Sequence, residues 1–75
     1  MKLTQISANC NVIRKDNGIA VLFSYETPVA VEHPKRGLLR TDTHYSRTTS
    51  KHISAWFGGR SFQIIAQAEI VKLAQ

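Results

Sequence analysis

Residues 45–59 of the chain read YSRTTSKHISAWFGG, and this stretch is the clearest helix signal in the sequence and holds its only Trp. Four of its residues have the i, i+4, i+7, i+8 spacing of one helix face: Thr49, Ile53, Trp56 and Phe57. We therefore expect a helix over about residues 48–57, ended by Gly58, which suits the left-handed residue after a last turn. Ser and Thr residues crowd its start, where their oxygens can cap the first free amides. The helix should bury an apolar stripe and show water a basic, hydroxyl-rich end.

Upstream of this helix lies the clearest hairpin signal in the sequence. Asn17-Gly18 separates two segments of strand character, residues 10–16 and 19–25. Asn-Gly accepts the positive φ angles of a two-residue hairpin turn. Such a loop pairs Asp16 with Ile19, and the same register places Val12 opposite Phe23 and Ile13 opposite Leu22.

That register predicts which side chains share a face of the sheet. Val12, Phe23 and Tyr25 fall on one face, which we expect to pack against the helix. Ile13 and Leu22 fall on the other face and form a smaller apolar patch. Either the carboxy-terminal segment covers this patch, or the patch is the contact of a homodimer.

The remaining elements are less sharply marked. Residues 29–33 and 38–42 flank a turn that begins with Pro34 and ends with Gly37, which predicts a second hairpin. Met1–Ile6 is either a short edge strand or a tail. Residues 60–65 read as a last strand and residues 66–75 as a short terminal helix, although Phe62–Leu73 also fits one longer helix.

We therefore predict an α+β fold in one domain of 75 residues. It consists of a small antiparallel sheet of four to five strands in two hairpins. The helix at about residues 48–57 packs on one face, and a short carboxy-terminal helix follows. At this length the chain can build one modest core.

The composition favours anionic partners. Ten Lys and Arg against five Asp and Glu give a net charge of +5. This balance attracts polyanions or acidic protein surfaces through long-range electrostatics. Cys10 is the single cysteine, so an intrachain disulfide is excluded and a buried apolar role is expected. The sequence has no transmembrane-length apolar run and no signal peptide, so we expect no membrane partner and a cytoplasmic location.

Two stretches carry a resemblance to a known group of proteins. Residues 24–30 read SYETPVA, and residues 45–53 read YSRTTSKHI. They resemble the S-Y-x-T-P-V-A and Y-S-x-T-T-S-K-H-I motifs of a family of small uncharacterised proteins found mainly in phages, plasmids and other mobile elements. The resemblance covers roughly residues 20–58. It implies an accessory protein acting in the cytoplasm of a bacterial host cell, and it carries over no activity and no site residue.

Catalytic and metal-binding chemistry lack a pattern in this sequence. No two carboxylates lie at helical spacing, and a Ser or Thr near His52 with Asp42 has no signature turn around it. The spacings of Cys10, His33, His44 and His52 match no zinc signature. We expect no enzyme activity, no catalytic residue, no metal site and no cofactor.

Binding of nucleic acid is the function that we predict from the cations and hydroxyls, through a helix-start anion site joined to a basic hairpin. The candidate residues are Lys35, Arg36, Arg40, Arg47, Thr48, Thr49, Ser50, Lys51 and His52. Simple capping of the helix is the alternative explanation for the hydroxyl groups. The alternative function is a protein-interaction module that docks on an acidic surface of a host or phage protein and modulates or inhibits it.

Overall fold

The computed structural model describes residues 2–7 and 9–75. Six strands and two helices follow one another in the order β1, β2, β3, β4, β5, α1, β6, α2. Their bounds are Lys2–Ser7, Cys10–Arg14, Ala20–Ser24, Thr27–His33, Gly37–Thr41, Arg47–Phe57, Phe62–Ile65 and Gln67–Ala74.

All six strands form one sheet in the order of the sequence, β1-β2-β3-β4-β5-β6. The first five are an antiparallel meander, whereas β6 lies parallel to β5. Parallel neighbours need a crossover, and α1 supplies it. The predicted antiparallel sheet of four to five strands is therefore wrong: the sheet has six strands and is mixed, although the fold remains α+β.

The two faces of the sheet are covered by different helices. On one face α1 contributes Ile53 and Phe57 to a core that includes Val12 and Leu22. On the other face α2 contributes Ile70, which is 0% exposed, to a second core with Val21, Val31 and Leu39. The short terminal helix is thus a full structural layer, and the longer helix over Phe62–Leu73 is not formed because β6 occupies residues 62–65.

The ends of α1 follow the chemistry of its flanking residues. Ser46 is the N-cap, and its Oγ accepts a hydrogen bond from the Thr49 amide at 3.1 Å. Gly58 has φ 60°, and its amide donates to the Ser54 carbonyl at 3.0 Å. The Arg60 guanidinium then donates to the Phe57 and Trp56 carbonyls. The helix begins one residue before the predicted span, at Arg47, and its predicted apolar stripe is confirmed.

The β2–β3 register differs by one residue from the predicted one. Val12 pairs with Leu22 and Ile13 with Val21, because the loop holds three residues rather than two. The Lys15 amide donates to the Ile19 carbonyl, and Gly18 has φ 90°. A one-residue shift moves side chains to the opposite face. Accordingly Phe23 lies on the α2 side of the sheet and not beside Val12.

This shift also removes the predicted dimer patch. Leu22 is 0% exposed beneath α1, whereas Ile13 lies on the opposite face, so the two cannot form one contact surface. The carboxy-terminal helix covers the second face instead, which was the other alternative. Tyr25 is 51% exposed and belongs to neither core.

The structure contains the predicted second hairpin and an edge strand at the start of the chain. The second hairpin is formed by β4 and β5, with Gly37 at φ 80°. A further hairpin joins β3 to β4, with a bulge where Pro28 pairs with Phe23. Residues 2–6 form an edge strand rather than a tail, and Met1 lies outside the described residues. No helix in residues 2–7 and 9–75 is long and apolar enough to cross a membrane.

Candidate functional site

The two sequence motifs meet at the start of α1. Ser24 ends β3, and its buried hydroxyl is 2.9 Å from Thr49 Oγ1 and 2.9 Å from His52 Nδ1. Ser46 extends this network, because its hydroxyl donates to Thr49 Oγ1 at 3.2 Å. One residue of the first motif, Ser24, and three of the second therefore make one connected polar cluster, although the motifs lie far apart in the sequence.

A small cavity of about 140 Å³ adjoins this cluster. Its lining comprises residues from both motifs: Ser24, Tyr25, Thr27, Val29, Tyr45, Ser46 and Thr49. The Tyr25 and His52 rings lie 6.4 Å apart between centroids. The cavity is too small for a drug-sized ligand, since such sites occupy roughly 300–1,000 Å³.

The cluster has the chemistry of a helix anchor. A Ser–His nucleophile needs a third group that orients the imidazole. Within the described residues no carboxylate bonds to His52, and Ser24 is only 2% exposed. The hydroxyls satisfy one another, as buried polar groups must. Ser24, Thr49 and His52 thus fix α1 against the end of β3.

Most of the positive charge lies at the other end of the sheet, which we call the basic end. It contains the β2–β3 and β4–β5 turns, the carboxy terminus of α2, and the segment between α1 and β6. Among the side chains that the structure describes, six cations lie there: Arg14, Lys15, Lys35, Arg36, Arg60 and Lys72. Three carboxylates accompany them: Asp16, Glu32 and Glu69. The described side chains of this end therefore carry three of the five net positive charges.

Two open clefts flank the turns at the basic end. One, of about 450 Å³, is lined by Arg14 and Arg60 among others, and lies on the α1 side. The other, of about 460 Å³, is lined by Lys15, Arg36 and Lys72 and lies on the α2 side. The Lys35 side chain is exposed at the turn between them.

Some of these cations already serve the fold. Arg36 pairs with Glu69 at 3.0 Å, and Arg60 pairs with Glu32 at 3.4 Å. Lys15 Nζ donates to the main-chain oxygens of Leu73 and Gln75 and so caps α2. Three cations, Arg14, Lys35 and Lys72, make no ion pair with any residue in the described part of the chain. Their charges are available to a ligand.

His33 shapes the tip of the β4–β5 turn. Its Nδ1 accepts hydrogen bonds from the Lys35 amide at 3.1 Å and the Arg36 amide at 3.2 Å. The two bonds fix the backbone that carries Lys35 and Arg36.

The structure does not bring the predicted site residues together. Lys35 and Arg36 lie at the basic end, whereas α1 begins beyond the opposite end of β5. Six candidates lie in the first two turns of that helix: Arg47, Thr48, Thr49, Ser50, Lys51 and His52. Arg40 lies between the two groups, with its guanidinium 5.8 Å from the centre of the Phe62 ring. The predicted continuous site is thus two separate ones.

Two hydroxyls at the helix start, those of Ser46 and Thr49, are committed to the fold. Thr49 is buried in the cluster with Ser24, and the Ser50 amide donates to the Ser46 carbonyl at 3.1 Å. Arg47, Thr48 and Lys51 remain exposed. Capping, the alternative stated from the sequence, accounts for the geometry of this end.

Sequence reasoning missed several residues of the basic end. Arg14 ends β2, Lys15 follows it in the β2–β3 turn, and Lys72 lies on α2, which the predicted topology did not bring to this end. The available signal was charge at the Asn17-Gly18 turn, which is the same kind of element as the Lys35-Arg36 turn. Metal ligands do not gather anywhere in residues 2–7 and 9–75.

Fold and site together define a small α+β domain, a six-stranded mixed sheet between two helices with a basic end. The chain belongs to the family of unknown function DUF8033, whose model matches residues 1–72. No curated protein and no solved structure matches the chain.

Proposed function

We propose that this protein is a non-enzymatic binder of polyanions, most directly nucleic acid, and that its basic end makes the contact. The observation that carries the proposal is the gathering of six cations around two turns and a helix terminus. Phosphate groups are the matching ligand, since backbone phosphates dominate the affinity of proteins for nucleic acid.

The geometry of the turn supports this proposal. His33 holds the Lys35 and Arg36 amides, so the tip presents its cations from a fixed backbone. Arg14, Lys35 and Lys72 gain an ionic partner on binding without losing one. Positions fixed in advance reduce the entropy cost of binding.

The start of α1 is the weaker candidate for this function. Its helix dipole and exposed Arg47 and Lys51 attract anions. However, Ser46 and Thr49 use their hydroxyls in capping and in the cluster with Ser24. A phosphate there would compete with contacts that anchor the helix.

The biological setting that we propose follows from the sequence motifs. Accessory proteins of phages and mobile elements act in the cytoplasm of a bacterial host cell. A nucleic-acid binder of this size fits that setting, because a positive domain reaches DNA or RNA rapidly through electrostatic steering. This setting rests on the motif resemblance alone.

A salt titration with matched variants tests the proposal. If about four phosphates are contacted on duplex DNA, log K falls against log salt with a slope near −3.6. Removing two cations, in the Lys35→Gln/Lys72→Gln variant, should reduce that slope by about 1.8. The control, Arg47→Gln/Lys51→Gln, removes the same charge from the other end and should leave the slope unchanged.

Mobility shifts of a short duplex at two salt concentrations supply the measurement. Absence of a shift at low salt would eliminate the proposal. A loss of slope confined to the Arg47→Gln/Lys51→Gln variant would transfer the site to the start of α1.

Docking on a protein is the second candidate, and the edges of the sheet favour it. Both β1 and β6 are edge strands, and each carries exposed apolar side chains: Leu3, Ile6, Phe62 and Ile64. An extended peptide adds to such an edge through main-chain hydrogen bonds. Affinity purification with nuclease treatment distinguishes the candidates, because one stoichiometric protein that survives nuclease would favour docking.

A further inference from the structure

An open cleft of about 660 Å³ lies at the end of the sheet opposite the basic end. Its lining comprises Gln5, Asn9, Asn11, Tyr25, Glu26 and Thr27. Gln5 and Asn11 are cross-strand partners on β1 and β2, so their side chains share a face. Asn9 precedes β2, and Tyr25 and Glu26 form the two-residue turn between β3 and β4.

Tyr25 occupies this cleft at a cost in backbone strain. Its φ is 60°, in the left-handed region where a bulky side chain is a genuine outlier. Turns of two residues favour glycine at positions of positive φ. This turn nevertheless carries the aromatic ring of Tyr25. The backbone amide of Tyr25 donates a hydrogen bond to the Asn9 carbonyl at 2.6 Å. Asn9 itself has φ 61°, so two left-handed residues hold the adjacent turns together.

Such strain points to a use for the ring. Residues kept in unfavourable φ/ψ regions cluster at binding sites, because a cheaper residue would otherwise stand there. The Tyr25 ring is 51% exposed, so the fold does not need it for a core. It borders the cleft on one side and the small cavity next to His52 on the other.

The lining groups select the chemistry of a ligand. None of the six lining residues is Lys or Arg, and Glu26 is the one that carries charge, so a phosphate is disfavoured there. The carboxamides of Asn9 and Asn11 each offer a donor and an acceptor together. The side-chain amides of Asn9 and Asn11 make no hydrogen bond with any residue in the described part of the chain. An exposed tyrosine ring adds a stacking surface.

We propose that this cleft binds one unstacked nucleobase. Asn and Gln side chains pair with the donor and acceptor edges of bases, and carboxylates accept from exocyclic amino groups. Single-stranded nucleic acid offers bases that can leave the stack and lie on aromatic side chains. The cleft would therefore make the protein prefer single strands to duplexes.

This inference rests on the proposed function, which it deepens. Phosphates contact the basic end, and a base enters the cleft at the opposite end of the sheet. A nucleic-acid strand that reached both sites would run along the sheet from one end of its strands to the other. Nucleosides lack phosphate, so they test the cleft without the basic end.

Titration of free nucleosides into ¹⁵N-labelled protein tests the cleft directly. We expect saturable shifts of the side-chain amide signals of Asn9 and Asn11 with at least one of the four nucleosides. Tyr25→Gly should abolish these shifts and Tyr25→Phe should keep them. The Tyr45→Ala variant, which removes an exposed aromatic outside the cleft, and the Lys35→Gln/Lys72→Gln variant should both keep them.

Oligonucleotide binding provides the second readout. A single strand of about ten bases should lose about 5- to 150-fold in affinity on Tyr25→Gly, the usual range for one stacked base. The midpoint of thermal unfolding of this variant should not fall, because glycine relieves the strain at φ 60°.

The outcomes separate the two proposals. If none of the four nucleosides causes shifts up to its solubility limit, while oligonucleotides still bind in a salt-dependent way, the proposal of a base-binding cleft is wrong and the proposal for the basic end stands. Saturable shifts with glucose and none with nucleosides would also overturn it. Nucleoside binding with no salt-dependent binding of duplex DNA would support the cleft and contradict the basic end.

Discussion

Replacement of Ser24 by alanine tests how the two motifs hold the molecule together. The Ser24 hydroxyl is 2% exposed and lies 2.9 Å from both Thr49 Oγ1 and His52 Nδ1. Ser24→Ala removes both contacts and adds no bulk. Thr49 keeps its bonds to Ser46, whereas His52 Nδ1 loses the one partner that it has in the described part of the chain.

The size of the effect follows from these contacts. Each intramolecular hydrogen bond contributes about 0.5–1.5 kcal/mol net, and a buried group left unpaired costs about 1–3 kcal/mol. His52 is half-buried and can reach water, which limits its penalty. We expect Ser24→Ala to lower the free energy of unfolding by about 2 kcal/mol. In a domain of this size that lowers the unfolding midpoint by about 8–16 °C.

Urea and thermal unfolding followed by circular dichroism measure this change. Ser54→Ala is the matched control, because Ser54 is exposed on α1 and should change stability by less than about 0.5 kcal/mol. A double-mutant cycle with His52→Ala isolates the Ser24–His52 coupling. If Ser24→Ala stays within about 0.5 kcal/mol of the unsubstituted protein, the cluster does not anchor α1.

Three further substitutions test the account by urea denaturation. Tyr25→Gly should stabilise the protein by about 1 kcal/mol because φ is 60° there, and a clear loss of stability would show that the ring supports the fold. Ile70→Ala should cost about 2–5 kcal/mol, since Ile70 is 0% exposed beneath α2, and a cost near zero would mean that α2 does not pack on the sheet. Gly58→Ala should cost about 1 kcal/mol at its left-handed φ, and a neutral result would remove the C-cap from the account.

The limits of sequence reasoning are clearest at the Asn17-Gly18 turn. Asn-Gly correctly marked a hairpin, but the same dipeptide fits loops of two or three residues. In the structure Asp16 belongs to the loop, and Gly18 alone has positive φ among its residues. Because the loop contains this one additional residue, Leu22 lies on the face predicted for Phe23, and Phe23 lies on the face predicted for Leu22. Local turn chemistry does not fix the register; packing on both faces does.

The helix at residues 47–57 was predictable because its signals are local. A stripe at helical spacing, an N-cap serine and a glycine at the stop all lie within the segment itself. The last strand was also predicted, at residues 60–65, but its parallel pairing with β5 was not predictable in this way. Strand β6 has only four residues, and the whole of α1 separates it in the chain from β5, with which it pairs.

The candidate site shows the same division. The hydroxyls and cations of residues 47–52 were visible in the sequence, but the partner that occupies Thr49 is Ser24, which is distant in sequence. Lys72 reaches the basic end, beside Lys15 of the β2–β3 turn, only because α2 returns along the second face of the sheet. Residue type indicated the charge, and topology decided where it gathers.

The most direct measurement of the central claim is a residue-level map of contact with a short DNA duplex. Its phosphates are exposed and its bases are paired, so ¹⁵N amide shifts at low salt report contact with phosphates and not the binding of a base in the cleft. We predict shifts at Arg14, Lys35 and Lys72 that fade as salt is added, with Arg47 and Lys51 unchanged. Shifts centred on Arg47 and Lys51, or none at low salt, would contradict the account.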